Sequence, residues 1–190
     1  MRPDKERCEA YRQFERIHAA FRAGDIDALR AAVDDPACIP NGPMPPGIGA
    51  CLEYAIYHSP LPFVRTLLEA GADPRPADHA GFPPLIAALS CTLAPPGGSA
   101  RSDVAELIRL LLDFGADPAQ RGVNDYTALH MAVSMRNLPA VALLLAAGAD
   151  AACRTRIDDC ETPREMAEAM GLSDIARLLA AHGGQRQDTK

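Results

Sequence analysis

With 190 residues the chain is long enough for one domain with its own hydrophobic core, so neither disulfides nor a structural metal are needed to hold it. Hydrophobic residues make up 48% and charged residues 23%, which is ordinary for a soluble fold, while aromatics reach only 5% with no Trp, a composition that suits small side chains in close helix contact. A net charge of -6 and a pI near 5.3 argue against nucleic acid as a partner, because phosphate binding depends on a concentrated positive surface.

Met1-Arg2-Pro3-Asp4-Lys5-Glu6-Arg7 carries both signs of charge and leads into no apolar run of signal-peptide length, and no stretch approaches ~18 uninterrupted apolar residues. The expectation is a cytoplasmic protein with no membrane segment. Only Lys5 and Lys190 among the 19 basic residues are lysine, a bias expected of a GC-rich, bacterial genome. The first predicted helix covers about residues 4 to 22. It runs into Phe21-Arg22-Ala23-Gly24-Asp25-Ile26-Asp27-Ala28-Leu29-Arg30, a degenerate copy of a unit that recurs downstream.

The recurring unit has two parts. A helix-opening segment appears at Ala50-Cys51-Leu52-Glu53-Tyr54-Ala55, Pro83-Pro84-Leu85-Ile86-Ala87-Ala88, Thr127-Ala128-Leu129-His130-Met131-Ala132 and Thr162-Pro163-Arg164-Glu165-Met166-Ala167. After the first three, a second apolar run (Thr66 to Ala70, Leu110 to Phe114, Leu143 to Ala147) ends in Gly-Ala-Asp at 71–73, 115–117 and 148–150. The last two Gly-Ala-Asp turns lie 33 residues apart and the first two 44, which is 33 plus 11. Thr92 to Ser102 supplies an insertion of that size, rich in loop formers, where one helix should hand over to the next.

Local chemistry agrees with the spacing. Thr162-Pro163-Arg164-Glu165 is a capping box with proline at the first helical position, which satisfies two amide donors where a helix begins. Asp103-Val104-Ala105-Glu106 is a start signal for a second helix. Gly71, Gly115 and Gly148 are placed to end helices in the left-handed conformation that glycine adopts at little cost. The stretches that follow, Pro74 to His79, Pro118 to Asp125 and Arg154 to Asp159, are polar and turn-forming.

A 33-residue period with a T-P-L-H-x-A motif and a Gly-Ala-Asp turn resembles the ankyrin repeat, and the resemblance extends over roughly residues 20 to 183. It implies an all-α solenoid of stacked helix-turn-helix units with projecting hairpin loops. The expected arrangement is a single domain over 1–183, with an N-terminal capping unit over about 1–42 and repeats at 43–75, 76–119 (holding the 92–102 insertion) and 120–152. A C-terminal capping unit over 153–183 and a disordered tail at 184–190 complete it. Terminal repeats need a polar outer face, which suits the charged N-terminal helix and the Arg164 and Glu165 substitutions in the last unit.

The resemblance also implies the mode of action: a non-enzymatic adaptor or inhibitor, monomeric on its own, that holds one protein partner in a concave groove made by the hairpin loops and the inward face of each first helix. Mapped onto this chain, that groove selects Tyr54, Tyr57, His58, His79, Phe82, Val123, Asn124, Tyr126, Met131, Met135, Asp158 and Asp159, with Cys91, Glu161 and Met170 beside them. Aromatic and thioether side chains of this kind concentrate at interfaces. Arg121, Arg154 and Arg156, near the loop tips, either pair with an acidic partner or simply solvate.

No catalytic, metal or cofactor site is expected. His130 occupies the motif's histidine position, where the family's histidine bonds neighbouring units together. His18, His58, His79 and His182 have no ligand spacing. The glycines, Gly97-Gly98 included, match no nucleotide-binding fingerprint. Cys8, Cys38, Cys51, Cys91, Cys153 and Cys160 form no C-x-x-C pair and are expected to be reduced and mostly buried. Two alternatives remain: a redox sensor or enzyme using Cys91, Cys153 or Cys160, and an effector delivered into a host cell.

Overall fold

The computed structural model describes residues 3–76, 82–94, 100–157 and 160–184. Among these residues there are ten α-helices and no strand. They fall into two compact units, Met1–Gly81 and Phe82–Lys190.

In the first unit the helices are α1 (Pro3–Ala23), α2 (Ile26–Ala32), α3 (Cys51–His58) and α4 (Leu61–Glu69), with a 3-10 turn at Pro36–Cys38. Gly24, at φ 70, reverses the chain between α1 and α2, and the Asp25 carboxylate caps α2 by accepting the Asp27 and Ala28 amides at 3.0 and 2.8 Å. Ile17, Phe21, Leu29, Ile56, Phe63, Val64 and Leu67 form a core in which each is 2% exposed or less. Phe21 of α1 meets Tyr54 of α3 with ring centroids 4.8 Å apart and Phe63 of α4 edge-on at 5.8 Å, so one aromatic joins three helices. The loop before α3 is tied down by Asn41, whose side-chain amide donates to the Gly71 carbonyl at 2.7 Å and accepts the Asp73 amide at 2.8 Å.

The second unit consists of three helix pairs: α5 (Pro84–Ser90) with α6 (Val104–Asp113), α7 (Ala128–Ser134) with α8 (Leu138–Ala146), and α9 (Pro163–Ala169) with α10 (Ser173–Gly184). First helices touch first helices in the order α5, α7, α9, and second helices touch in the order α6, α8, α10, so the pairs stack as two layers. Alanines allow the close approach in the first layer. Ala87, Ala88, Ala128, Ala132 and Ala167 are at most 1% exposed, and Leu85, Leu89, Leu107, Ile108, Leu111, Leu129, Val133, Val141 and Leu144 fill the space between the layers.

The helix ends follow one hydrogen-bond pattern. At Gly71, Gly115 and Gly148 (φ 94, 88 and 87) the next amide reaches back five residues: Ala72 to Leu67, Ala116 to Leu111 and Ala149 to Leu144, each at 2.9 Å. The turns inside helix pairs repeat it with Asp25 to Ala20, Asn137 to Ala132 and Leu172 to Ala167. The left-handed residue is Gly24 in the first of these and Gly171 in the last, but in the middle one it is Arg136, at φ 54.

Two local expectations change, and the insertion acquires detail. Helix α6 starts at Val104, yet the Asp103 carboxylate does not cap it, because Arg101 holds that group through Nε at 2.6 Å and Nη2 at 3.1 Å. Of the six cysteines, only Cys38 and Cys51 are buried. Cys91 and Cys153 are half-buried, and Cys8 and Cys160 are exposed, because neither lies on a core-facing helix position. The end of the insertion is bonded back to its start by the Arg101 amide on the Cys91 carbonyl at 3.0 Å, and Thr92 is tied to the next helix pair by the Asn137 side chain at 3.1 Å. Residues 95–99 of the insertion and 185–190 of the tail lie outside the described residues.

Candidate protein-binding surface

The residues between α6 and α7 form a short finger. The Gly122 amide donates to the Tyr126 carbonyl at 2.9 Å and the Asp125 amide to the Gly122 carbonyl at 3.2 Å, closing a turn whose Asn124 and Asp125 both lie in the left-handed region at φ 59 and 57. Asn and Asp are the non-glycine residues that accept this conformation most readily. The next finger, between α8 and α9, is closed by the Thr155 amide on the Glu161 carbonyl at 3.0 Å, with Cys160 at φ 52 in the place of Asp125. Arg121 and Arg154 begin corresponding fingers 33 residues apart, whereas Asp125 and Cys160 end them 35 apart, so the longer last period comes from two extra residues in the second finger.

Each finger is braced by its first arginine. Arg121 donates to the Asp125 carbonyl at 3.0 Å and pairs with its carboxylate, and it also reaches the Cys153 sulfur and the Arg154 carbonyl, both at 3.0 Å. Arg154 donates to the Cys160 carbonyl at 2.8 Å and to Glu165 Oε1 at 2.7 Å. Arg156 spans the two fingers: its amide lies 2.6 Å from Asp125 Oδ2 and its Nη2 2.6 Å from Oδ1. The three arginines expected to pair outward or solvate are therefore engaged within the protein. Arg156, first among these partners, and Arg121 hold the Asp125 carboxyl at about 2, well below its usual range. The Thr162 amide and Arg154 do the same for Glu165, also to about 2.

Beneath the fingers, His130 makes the inter-unit bond that the resemblance implies. Its Nδ1 faces the Thr127 hydroxyl at 2.9 Å and the Thr127 amide at 3.4 Å, and its Nε2 lies 3.1 Å from the Glu161 carbonyl of the next unit. The neutral Nε2-H tautomer satisfies all three contacts, and burial pushes the His130 pKa down, favouring that form. The capping box at Thr162 is made as its sequence requires, with the Thr162 amide on Glu165 Oε2 at 2.8 Å and the Glu165 amide on the Thr162 hydroxyl at 3.2 Å.

The expected contact residues occupy different environments. In the second unit Phe82 is 39% exposed, Asn124 is exposed, and Tyr126, Met131 and Met135 are half-buried, before, on and directly after α7. Tyr126 stacks on His130 with centroids 5.6 Å apart. Val123 opens the finger turn. Cys91, Glu161 and Met170 are half-buried. In the first unit Tyr57 and His58 are exposed, but Tyr54 is 8% exposed: it lies against Phe21 and His58, with its hydroxyl 2.8 Å from His18 Nδ1. Burial and the nearby His18 and Arg22 lower the His58 pKa. His79, Asp158 and Asp159 lie outside the described residues.

Burial works against thiolate chemistry at three cysteines, raising Cys51 to about 12 and Cys38 and Cys91 above the ordinary thiol value. Among the described residues no three His, Cys, Asp or Glu side chains are grouped to hold a metal ion, and no helix is long and apolar enough to cross a membrane. Sequence reasoning named the stretch ending at Asp125 only as a turn. The signal for its second role was Asn-Asp at a position needing a positive φ, four residues after an arginine.

Residues 98–155, spanning α6 to α8 and the first finger, match the family model described as ankyrin repeats (3 copies). With helix pairs stacked first on first and second on second, and a histidine bonding one unit to the next, the chain carries ankyrin repeats in an all-α helix-turn-helix fold.

Proposed function

We propose that this protein is a non-enzymatic interaction module, an adaptor or inhibitor that binds one protein partner through its fingers and the adjoining first-helix residues. Ankyrin repeats generally mediate protein-protein interaction, and fold alone does not choose the partner. The observation that carries the reading is the group Phe82, Tyr126, Met131 and Met135, which stay partly exposed beside a finger closed by the Gly122–Tyr126 and Asp125–Gly122 backbone bonds. Aromatic side chains on a rigid support bind with little ordering cost, and thioether side chains adapt their shape to a partner. Tyr57 and His58 offer similar chemistry in the first unit, where the His58 ring lies against both Tyr57 and the buried Tyr54.

Affinity capture from native lysate tests this, comparing the natural chain with a variant carrying Tyr57, Phe82, Tyr126 and Met135 all changed to alanine. The reading requires one protein retained in near-stoichiometric amount by the natural chain and lost by the variant. Retention of the same protein by the folded variant contradicts the assigned surface.

A further inference from the structure

We propose that Asp125 is a latch that joins the finger at residues 121–126 to the start of the next one, so that both present their side chains in one arrangement before any partner arrives. The inference concerns how the proposed binding surface is organised, and its test needs no partner.

Three observations carry it. The Asp125 side chain is 9% exposed although it sits at the end of a surface turn, while the Arg156 side chain it holds is 72% exposed, so the carboxylate is the enclosed member of the pair. The carboxylate takes donors from both fingers: Arg121 from its own, and the Arg156 amide, Nη2 and Nε from the next, the last at 3.1 Å to Oδ1. The backbone at Asp125 is left-handed, a conformation that glycine adopts most easily. An aspartate there accepts some strain, and what it provides that glycine lacks is the carboxylate.

An amide-to-carboxylate bond at Arg156 matters for order because the partners are 31 residues apart in sequence. With the Asp125 carboxylate removed, both the Arg156 amide and its guanidinium lose this partner, and among the bonds described above Arg121, on the Arg154 carbonyl and the Cys153 sulfur, is what still ties the start of the second finger to the first. Charge-assisted bonds are roughly twice as strong as neutral ones, and the enclosed carboxylate is less screened by salt than a fully exposed one. The carboxylate therefore couples the opening of the finger at residues 121–126 to that of the segment at residue 156.

Amide hydrogen exchange on the full chain, compared among the natural protein, Asp125→Asn and Asp125→Gly, tests the latch. Asparagine keeps the tolerance for a positive φ and removes the charge, and glycine relieves the backbone and removes the side chain. The latch requires exchange at the residue 156 amide to rise roughly tenfold or more in both variants, while the amides inside α7 and α8 keep their rates. Unchanged exchange at residue 156 overturns it, and so does an equal rise throughout α7 and α8, which marks general destabilisation. Arg156→Ala, which truncates an exposed side chain and keeps the amide bond, should give a smaller rise at the same position, and no rise there contradicts the part assigned to the guanidinium. A latch that fails leaves the alanine-variant capture experiment to stand or fall separately.

Discussion

Asp125, in a surface turn, and Glu165, in the first turn of α9, are carboxylates held by donors from neighbouring segments, and acid measures that grip. Both titrate at about 2 in the folded protein, against ordinary values of 3.8 and 4.5. A depressed folded value means that the stabilisation is fully present above the unfolded value and is lost as pH falls through the folded one. The loss therefore falls between about pH 4.5 and 2. Carboxyl carbon NMR should find both midpoints near 2, and midpoints close to the ordinary values would show that neither group is held as described. How little of this was legible beforehand has a physical reason. Asp125 gains its main partner from a residue 31 positions away, across a turn whose length varies between repeats, and neither periodicity nor propensity specifies that register. Tyr54 is a similar case: the repeat pattern gave its position but not that α1 would cover it with Phe21 and His18.

Helix ends are where the sequence is most informative, because a single backbone requirement is met by a single residue type. An added Cβ at Gly148 meets nothing within 4 Å, so the penalty of Gly148→Ala is purely that of alanine at φ 87. Thermal or urea unfolding should show a loss of about 1 kcal/mol, and an unchanged curve would contradict the left-handed cap. Arg136 provides the reverse case. It holds the conformation taken by Gly24 and Gly171 at the same kind of turn, with φ 54, and its side chain is exposed. Arg136→Gly should therefore raise stability, by about 0.5 kcal/mol once the greater freedom of the unfolded chain is allowed for. A measured loss would indicate that the arginine side chain contributes more than its backbone costs. The Gly-Ala-Asp turns and the Thr162 capping box could be read from sequence because each is local, whereas Asp103 was diverted from its cap by Arg101, a side-chain choice that spacing alone does not reveal.

Across the molecule, repetition supplies both the core and the surface. The helix pairs in Phe82–Lys190 bury leucine, isoleucine and valine among them, and the turns that link pairs are left outside with their arginines paired internally. Charges satisfied in this way contribute order more than attraction, so the proposed function assigns affinity for a protein partner to the aromatic and methionine side chains beside them. The most direct test is the dissociation constant of the protein captured by the natural chain, measured by titration calorimetry against that chain and against the variant with Tyr57, Phe82, Tyr126 and Met135 replaced by alanine. Loss of affinity by about 100-fold or more, with one-to-one stoichiometry for the natural chain and helical content kept in the variant, is the predicted result. Equal affinities for the two would contradict the account.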